Sequence, residues 1–318
     1  VYKRQQLYKS RGFSAFFQDT FTFIKLNGKH YFKHFFIVNG IFLLILMGIG
    51  YFISKFYTDI VFGGVLQGNS NTQIDDYMNE NFGIFILLMR FFLVVALIAG
   101  LISYSYSAIY LKLYAENDGK NFETKEIIQM YKQNLGKLFI FLLCGILLGI
   151  PLIFVLGIGA FVLMITIIGI LLFPFLAGAF SLFYNMTLME YIRQERGIWD
   201  SFGYAWTLMT SKFWAAIGSV GLFYLMAYVV QNVITMIPYL FFLGDMFTSA
   251  QQGENLNPEE VGASLMVMML VIFFITFIVG IILNNITQLN QGIVFYSLKE
   301  DNENINTKSV IDQIGSGE

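Results

Sequence analysis

The chain has 318 residues, of which 57% are apolar, 18% aromatic and only 13% charged, with a formal net charge of −2. Mean hydropathy is +0.66. Average soluble domains are about a quarter charged, so this composition excludes a disordered chain, a collagen-like rod and a nucleic-acid binder with a basic stripe.

A helix needs about 20 mostly apolar residues to cross a ~30 Å hydrocarbon core. Residues 1–34 form a basic segment, and the first apolar run follows at 35–56. The second, at 82–114, is longer than a crossing requires, so it projects beyond the membrane or tilts. A long apolar block covers 138–190, and Gly157 and Gly159 are predicted to divide it into spans three and four. Span five runs from 213 to about 243 and span six from about 261 to 298, leaving 299–318 as a polar tail. The expectation is an all-α integral membrane fold of about six spans, with residues 35–298 as one membrane domain. The basic segment is too long, and the run behind it too full, for a cleaved signal peptide; span one would act as an uncleaved anchor.

Positive charge sets the orientation. Lys3, Arg4, Lys9, Arg11, Lys25, Lys29 and Lys33 precede span one. Lys120, Lys125, Lys132 and Lys137 lie between spans two and three, and Arg193, Arg196 and Lys212 between spans four and five. The alternate loops, 57–81 and 244–260, hold no Lys or Arg but carry Asp59, Asp75, Asp76, Glu80, Asp245, Glu254, Glu259 and Glu260. Both termini are therefore expected in the cytoplasm, the chain crossing the membrane several times. The one cysteine, Cys144, excludes an intrachain disulfide.

The segments before the odd-numbered spans show helical periodicity. Trp199, Phe202, Trp206, Met209 and Phe213 share one stripe, as do Ile127, Ile128, Tyr131, Leu135 and Leu138. Asp19 precedes Phe32 as Asp200 precedes Phe213, and Asn134-Leu135-Gly136-Lys137 echoes Asn27-Gly28-Lys29. Trp199, Trp206 and Trp214 suit the membrane–water boundary and are expected to anchor an interface helix there. Ser103, Tyr106 and Gly119 match Ser181, Tyr184 and Gly197 at a constant offset. The predicted unit is an amphipathic cytoplasmic helix followed by a transmembrane hairpin, used three times.

Phosphate loops, metalloprotease helices, serine elbows and paired-cysteine zinc sites are missing, so no catalytic residue, cofactor or metal is expected. His30 and His34 lie one helical turn apart, but Lys29 and Lys33 oppose a cation, and an anchoring role is expected instead. Arg90, inside span two, is either a ligand anchor or ion-pair partner of Glu80, or a side chain that snorkels to the surface. A polar cluster gathers toward the cytoplasmic ends of the even spans. It holds Ser103, Ser105 and Ser107, then Asn185 and Glu190, then Asn284, Asn285, Gln288, Asn290 and Gln291. These groups either bond helix to helix or converge on an inward-facing pocket. Arg90, Ser103, Asn185, Glu190, Asn285 and Gln288 are the candidate site; Glu190 could also sit in the headgroup layer beside Arg193. Gly145, Gly149, Gly169, Gly178, Gly218 and Gly221 permit close packing, and Pro151, Pro174 and Pro238 are expected to kink their spans.

Three stretches carry a resemblance: Phe17-Gln18-Asp19-Thr20-Phe21-Thr22-Phe23, Trp199-Asp200-Ser201-Phe202 and Gly28-Lys29-His30-Tyr31-Phe32. With the alternation of interface helix and aromatic hairpin, they resemble a broad group of bacterial inner-membrane proteins, and most of all the membrane domain that accompanies some glycerophosphoryl diester phosphodiesterases, which implies a bacterial inner membrane. In that family a separate soluble barrel performs hydrolysis. The resemblance implies a membrane module without its enzyme. The leading functional expectation is a non-catalytic subunit or scaffold that organises membrane lipids or other membrane proteins. The alternative is a small-molecule or lipid transporter or channel using the inward polar cluster; a lipid hydrolase ranks last because no nucleophile–base pair is visible.

Overall fold

The computed structural model describes residues 5–60, 71–117, 119–251 and 258–306. Among them lie seven helices and no strand: α1 (Phe13–Ile60), α2 (Asn71–Glu116), α3 (Thr124–Met164), α4 (Ile167–Arg193), α5 (Ile198–Ser211), α6 (Phe213–Gln251) and α7 (Pro258–Glu303). All except α5 are long and apolar enough to cross a membrane. Helices satisfy every interior backbone group within the segment, which hydrocarbon requires. Most of the acidic residues expected between spans, Asp59, Asp75, Asp76, Glu80, Glu254, Glu259 and Glu260, have side chains outside the described residues.

The break between spans three and four is not at the glycines. Gly157 and Gly159 stay inside α3, and the chain turns at Ile165 and Thr166 instead. A helical glycine costs only about 1 kcal/mol against alanine, too little to end a helix of 41 residues. Thr166 is extended, and its hydroxyl accepts from the Gly169 N–H at 3.0 Å, capping α4. Pro151, Pro174 and Pro238 lie inside α3, α4 and α6.

Three separate interface helices are not formed. The segments before spans one and three continue without a break into α1 and α3, and only α5 stands alone. Near its end, Thr210 donates to the Trp206 carbonyl at 2.8 Å and Ser211 to that of Leu208 at 2.7 Å. Such side chains compete with the helical ladder, and Lys212 then leaves helical geometry. Gly119 and Gly197, equivalent by the sequence offset, also differ: Gly119 has φ 120°, whereas Gly197 has φ −65°.

The chain divides into two compact units. Unit one comprises Val1–Val38, Leu101–Tyr228 and Leu283–Glu318; unit two comprises Asn39–Gly100 and Val229–Ile282. In unit one, small residues let helices approach. A Cβ on Gly221 would lie 2.3 Å from the Phe175 ring, and one on Gly178 would lie 3.1 Å from the Gly221 backbone nitrogen. Tyr31, Tyr106 and Tyr110 form a buried aromatic nest, in which the Tyr106 hydroxyl donates to the Tyr31 carbonyl at 2.7 Å. The Tyr184 ring rests over Gly145 and Gly149, its hydroxyl donating to the Gly145 carbonyl at 3.1 Å.

In unit two, Leu46, Val95 and Ala99 pack with Phe42, Ile45, Phe92, Ala96 and Phe277. The Phe273 ring covers Gly50. Gln231 donates to the Thr276 carbonyl at 3.0 Å, beside a hydroxyl pair of Thr235 and Thr276 at 3.3 Å. A cavity of about 980 Å3 is bordered by Pro238, Phe241, Asp245, Met268, Val271 and Ile275.

Candidate functional site

Among the described residues, unit one holds a dense set of polar contacts, beginning with an ion network where α4, the turn after it, α5 and α7 meet. α7 continues through position 299 to Glu303, so Lys299 is a helix residue, and both it and Glu190 are fully buried. The Lys299 ammonium donates to Glu190 at 2.9 and 3.0 Å, to Glu195 at 2.8 Å and to Glu303 at 3.1 Å. Arg196 also bonds Glu190, reaches Glu303 at 3.4 Å and stacks 3.7 Å above the Tyr204 ring. Arg193, beside which Glu190 could have sat in the headgroup layer, bonds Glu195 at 2.7 Å and the Tyr8 hydroxyl instead. The left-handed turn at Gln194 explains the exchange, since it separates Arg193 from the Arg196 that returns over Glu190.

Three carboxylates thus face three cations. A buried charge costs several kcal/mol unless it is paired and fully bonded, and here each Lys299 donor has a carboxylate. Burial opposes ionisation of Glu195, but hydrogen bonds from Lys299 and Arg193 outweigh it and hold the carboxyl below its usual range. Burial also lowers the tendency of Arg196 to stay charged, and the bond to Glu190 reverses this and raises its pKa. Burial, reinforced by Glu303, pushes the Tyr204 phenol up.

The N-terminal segment is tied to the same end. Arg11 is buried and bonds Asp19 at 2.7 Å, while its other nitrogens donate to the carbonyls of Leu7, Lys9 and Gln6. Lys212 reaches the Arg11 carbonyl at 3.2 Å and Asp301 at 2.7 Å. Arg193 lies over the rings of Tyr8 and Tyr296.

A seam of neutral bonds runs along α7. Tyr31 donates to Asn285 at 2.9 Å. Asn290 donates to Thr20 at 3.0 Å, Ser219 at 3.1 Å and the Phe16 carbonyl at 3.3 Å. Asn185 donates to Gln291, whose amide nitrogen donates to Ser181 at 2.8 Å. Of the candidate residues, Asn185, Glu190, Asn285 and Gln288 are therefore all buried in unit one, with Ser103 half-buried nearby on α2. Ser105 returns its hydroxyl to the Leu101 carbonyl at 2.7 Å. Arg90 belongs to unit two and is exposed; it makes no ion pair among the described residues, and the Glu80 side chain is not among them.

The two histidines hold the α2–α3 turn. His30 Nε2 lies 3.0 Å from the Phe122 carbonyl, which can only accept, so in the neutral ring Nδ1 accepts from the Tyr110 hydroxyl at 2.8 Å. His34 Nδ1 pairs with the Thr124 hydroxyl at 2.6 Å. Beside them is a polar cavity of about 670 Å3, lined by both histidines, Lys33, Lys120, Lys125 and the acids Glu123 and Glu126. The Glu126 carboxylate accepts from the Glu123 N–H at 3.0 Å and so caps α3. No group of three or more His, Cys, Asp or Glu that could hold a metal exists among the described residues.

The tryptophan stripe is split, with Phe202 and Met209 on the packed face of α5 and the indoles beside it. Ser201, Phe202, Ala205, Leu208 and Met209 are buried, and α5 lies against α4 and α3. Trp199, Trp206 and Trp214 are 54%, 57% and 84% exposed. Small Ser201 and Ala205 permit close contact, which displaces the bulky indoles to the flank. The middle stripe splits likewise, with Ile127, Tyr131 and Leu138 buried while Ile128 and Leu135 are exposed.

Lys299 and Arg11 are the residues that the sequence reading missed as partners. Their one signal was charge: Lys299 is a cation at the end of an apolar run that a distant carboxylate neutralises, and Arg11 lies eight residues before Asp19. Comparison with protein-family models, curated proteins and solved structures finds no match.

Proposed function

We propose that the chain is a non-catalytic, multi-pass scaffold of a bacterial inner membrane, with both termini cytoplasmic, that organises lipids or partner proteins. One observation carries this reading. Acids, bases and amides of the kind that a membrane enzyme would direct at a substrate bond one another in the Lys299 network and the α7 seam. That arrangement fixes helices and leaves the reactive groups covered. The cavity at the α2–α3 turn supports a lipid role, because Lys33, Lys120 and Lys125 face it together with two histidines. In this reading α5 lies in the cytoplasmic interface with its exposed indoles toward lipid. The resemblance to a phosphodiesterase-associated membrane domain fits a module that works beside an enzyme.

Native mass spectrometry after mild extraction from the membrane tests the proposal. A stoichiometric protein partner, or retained anionic lipid that is weakened by Lys33→Gln with Lys125→Gln, is the expected result. Solute flux in proteoliposomes that disappears in Asn185→Leu would replace the scaffold with a transporter.

A further inference from the structure

α2, α4 and α7 run parallel in unit one. Asn185 pairs with Gln291 and, further along both helices, Glu190 pairs with Lys299. Leu111 meets Gly292, as earlier residues of α2 and α7 converge on Tyr31, whose hydroxyl donates to Asn285 and lies beside Ser107. The three helices meet at Gly292: a Cβ there would lie 2.1 Å from Leu111 Cδ1 and 3.0 Å from Met189 Cε.

One helical turn toward the N-termini, the positions four residues earlier share the same faces. They are Ser107 on α2, Asn185 on α4 and Gln288 on α7. The offset that relates Ser103 to Ser181 also relates Ser107 to Asn185 and Leu111 to Met189. All three polar side chains are at most 2% exposed. Among the described residues, Ser107 Oγ, Asn185 Oδ1 and both Gln288 amide atoms lack a hydrogen-bond partner. Ser107 lies near the Tyr31 hydroxyl but outside bonding geometry.

Buried polar atoms left without a partner are destabilising, and native proteins satisfy them with protein groups or ordered water. Bulky Leu111 and Met189 close one end of this layer over Gly292, and the layer itself offers two acceptors, an amide donor and a hydroxyl. We infer that Ser107, Asn185 and Gln288 form an internal hydration site, in which bound water bridges the parallel helices α2, α4 and α7. Water matches the set because it donates twice and accepts twice, and 2–4 polar partners are what a buried water needs. A bare cation would leave the Gln288 NH2 unserved. The site goes beyond the scaffold reading and does not depend on it.

Thermal unfolding of the full chain in lipid nanodiscs tests the inference through Gln288→Met, Asn185→Leu and their combination. Gln288→Met is expected to lower Tm by about 2–4 °C, because it strips the guest from its other partners. The double variant should lose less than the two single losses together. A Gln288→Met variant as stable as the parent or more so, or strict additivity, would overturn the site, since removing a dry, unbonded amide stabilises. Replacing NaCl or KCl by choline chloride should shift parent and Gln288→Met equally; a sodium- or potassium-specific shift lost in the variant would overturn water as the guest. A cryo-EM map of the parent protein keeps the test independent of variant folding. It should show a separate density peak within bonding reach of the Gln288 amide, and closed side-chain packing there would end the proposal.

Discussion

The two units of this protein hold their helices by different means. Unit one uses directional bonds between distant residues: a buried ammonium with three carboxylates, and an asparagine that bonds α1 and α6 from α7. Among the described residues, unit two shows apolar contacts around Leu46, Val95 and Ala99, with Gln231 and Thr276 as one polar tie. Lipid tails are as apolar as leucine, so burying leucine against a neighbouring helix gains little in a membrane. Helix order in unit one is therefore tied to directional bonds, whereas the described contacts of unit two include close fits of shape, as where Phe273 covers Gly50.

The strongest way to break the contrast is to remove its central charge. Lys299→Met leaves Glu190 buried beside Arg196 alone, and a loss of about 3–5 kcal/mol is expected from thermal unfolding in detergent. Adding Glu190→Gln should recover part of that loss, because the stranded charge is then gone. Next in size is Asn290→Leu, which strands Thr20 and Ser219 and should cost about 1–3 kcal/mol. Gln231→Leu is its counterpart in unit two and should cost under about 1 kcal/mol, the usual worth of a side-chain bond between membrane helices. Equal costs for these two variants would erase the difference between the units.

Acid provides a graded version of the first experiment. Glu195 is held below its usual pKa by Lys299 and Arg193 against the opposing effect of burial. Its contribution to stability is thus fully present above the unfolded value of about 4.3, and is lost as pH falls through the lower folded value. Stability measured from pH 6 down to about pH 3 should decline in that window, and Glu195→Gln should flatten the decline.

The six spans were legible because a run of about 20 apolar residues has few other fates. Boundaries were less so: Gly157 and Gly159 were plausible breakers, yet the hydroxyl of Thr166 determines where α4 starts. The polar cluster could be seen in the sequence, since amides in apolar runs need partners. Its pairing could not, because Asn185 with Gln291 and Glu190 with Lys299 depend on which helices are neighbours. Lys299 looked like the first residue of a polar tail, and only the continuation of α7 to Glu303 buries it. Periodicity alone did not separate the buried Phe202 and Met209 from the exposed tryptophans, since an apolar stripe does not say whether protein or lipid covers it.

That ambiguity yields the smallest expected effect. Phe202 is buried among the rings of Phe141, Phe183 and Tyr184, whereas Trp214 is 84% exposed at the start of α6. Trp214→Leu should therefore change stability in detergent by no more than about 0.5 kcal/mol. In bilayers the Trp214 emission should be quenched by brominated acyl chains, as expected of an indole at the headgroup boundary. A large loss of stability from Trp214→Leu would mean that another protein surface covers this indole, and the exposed side of α6 would become the first place to seek the partner that the proposed scaffold role requires.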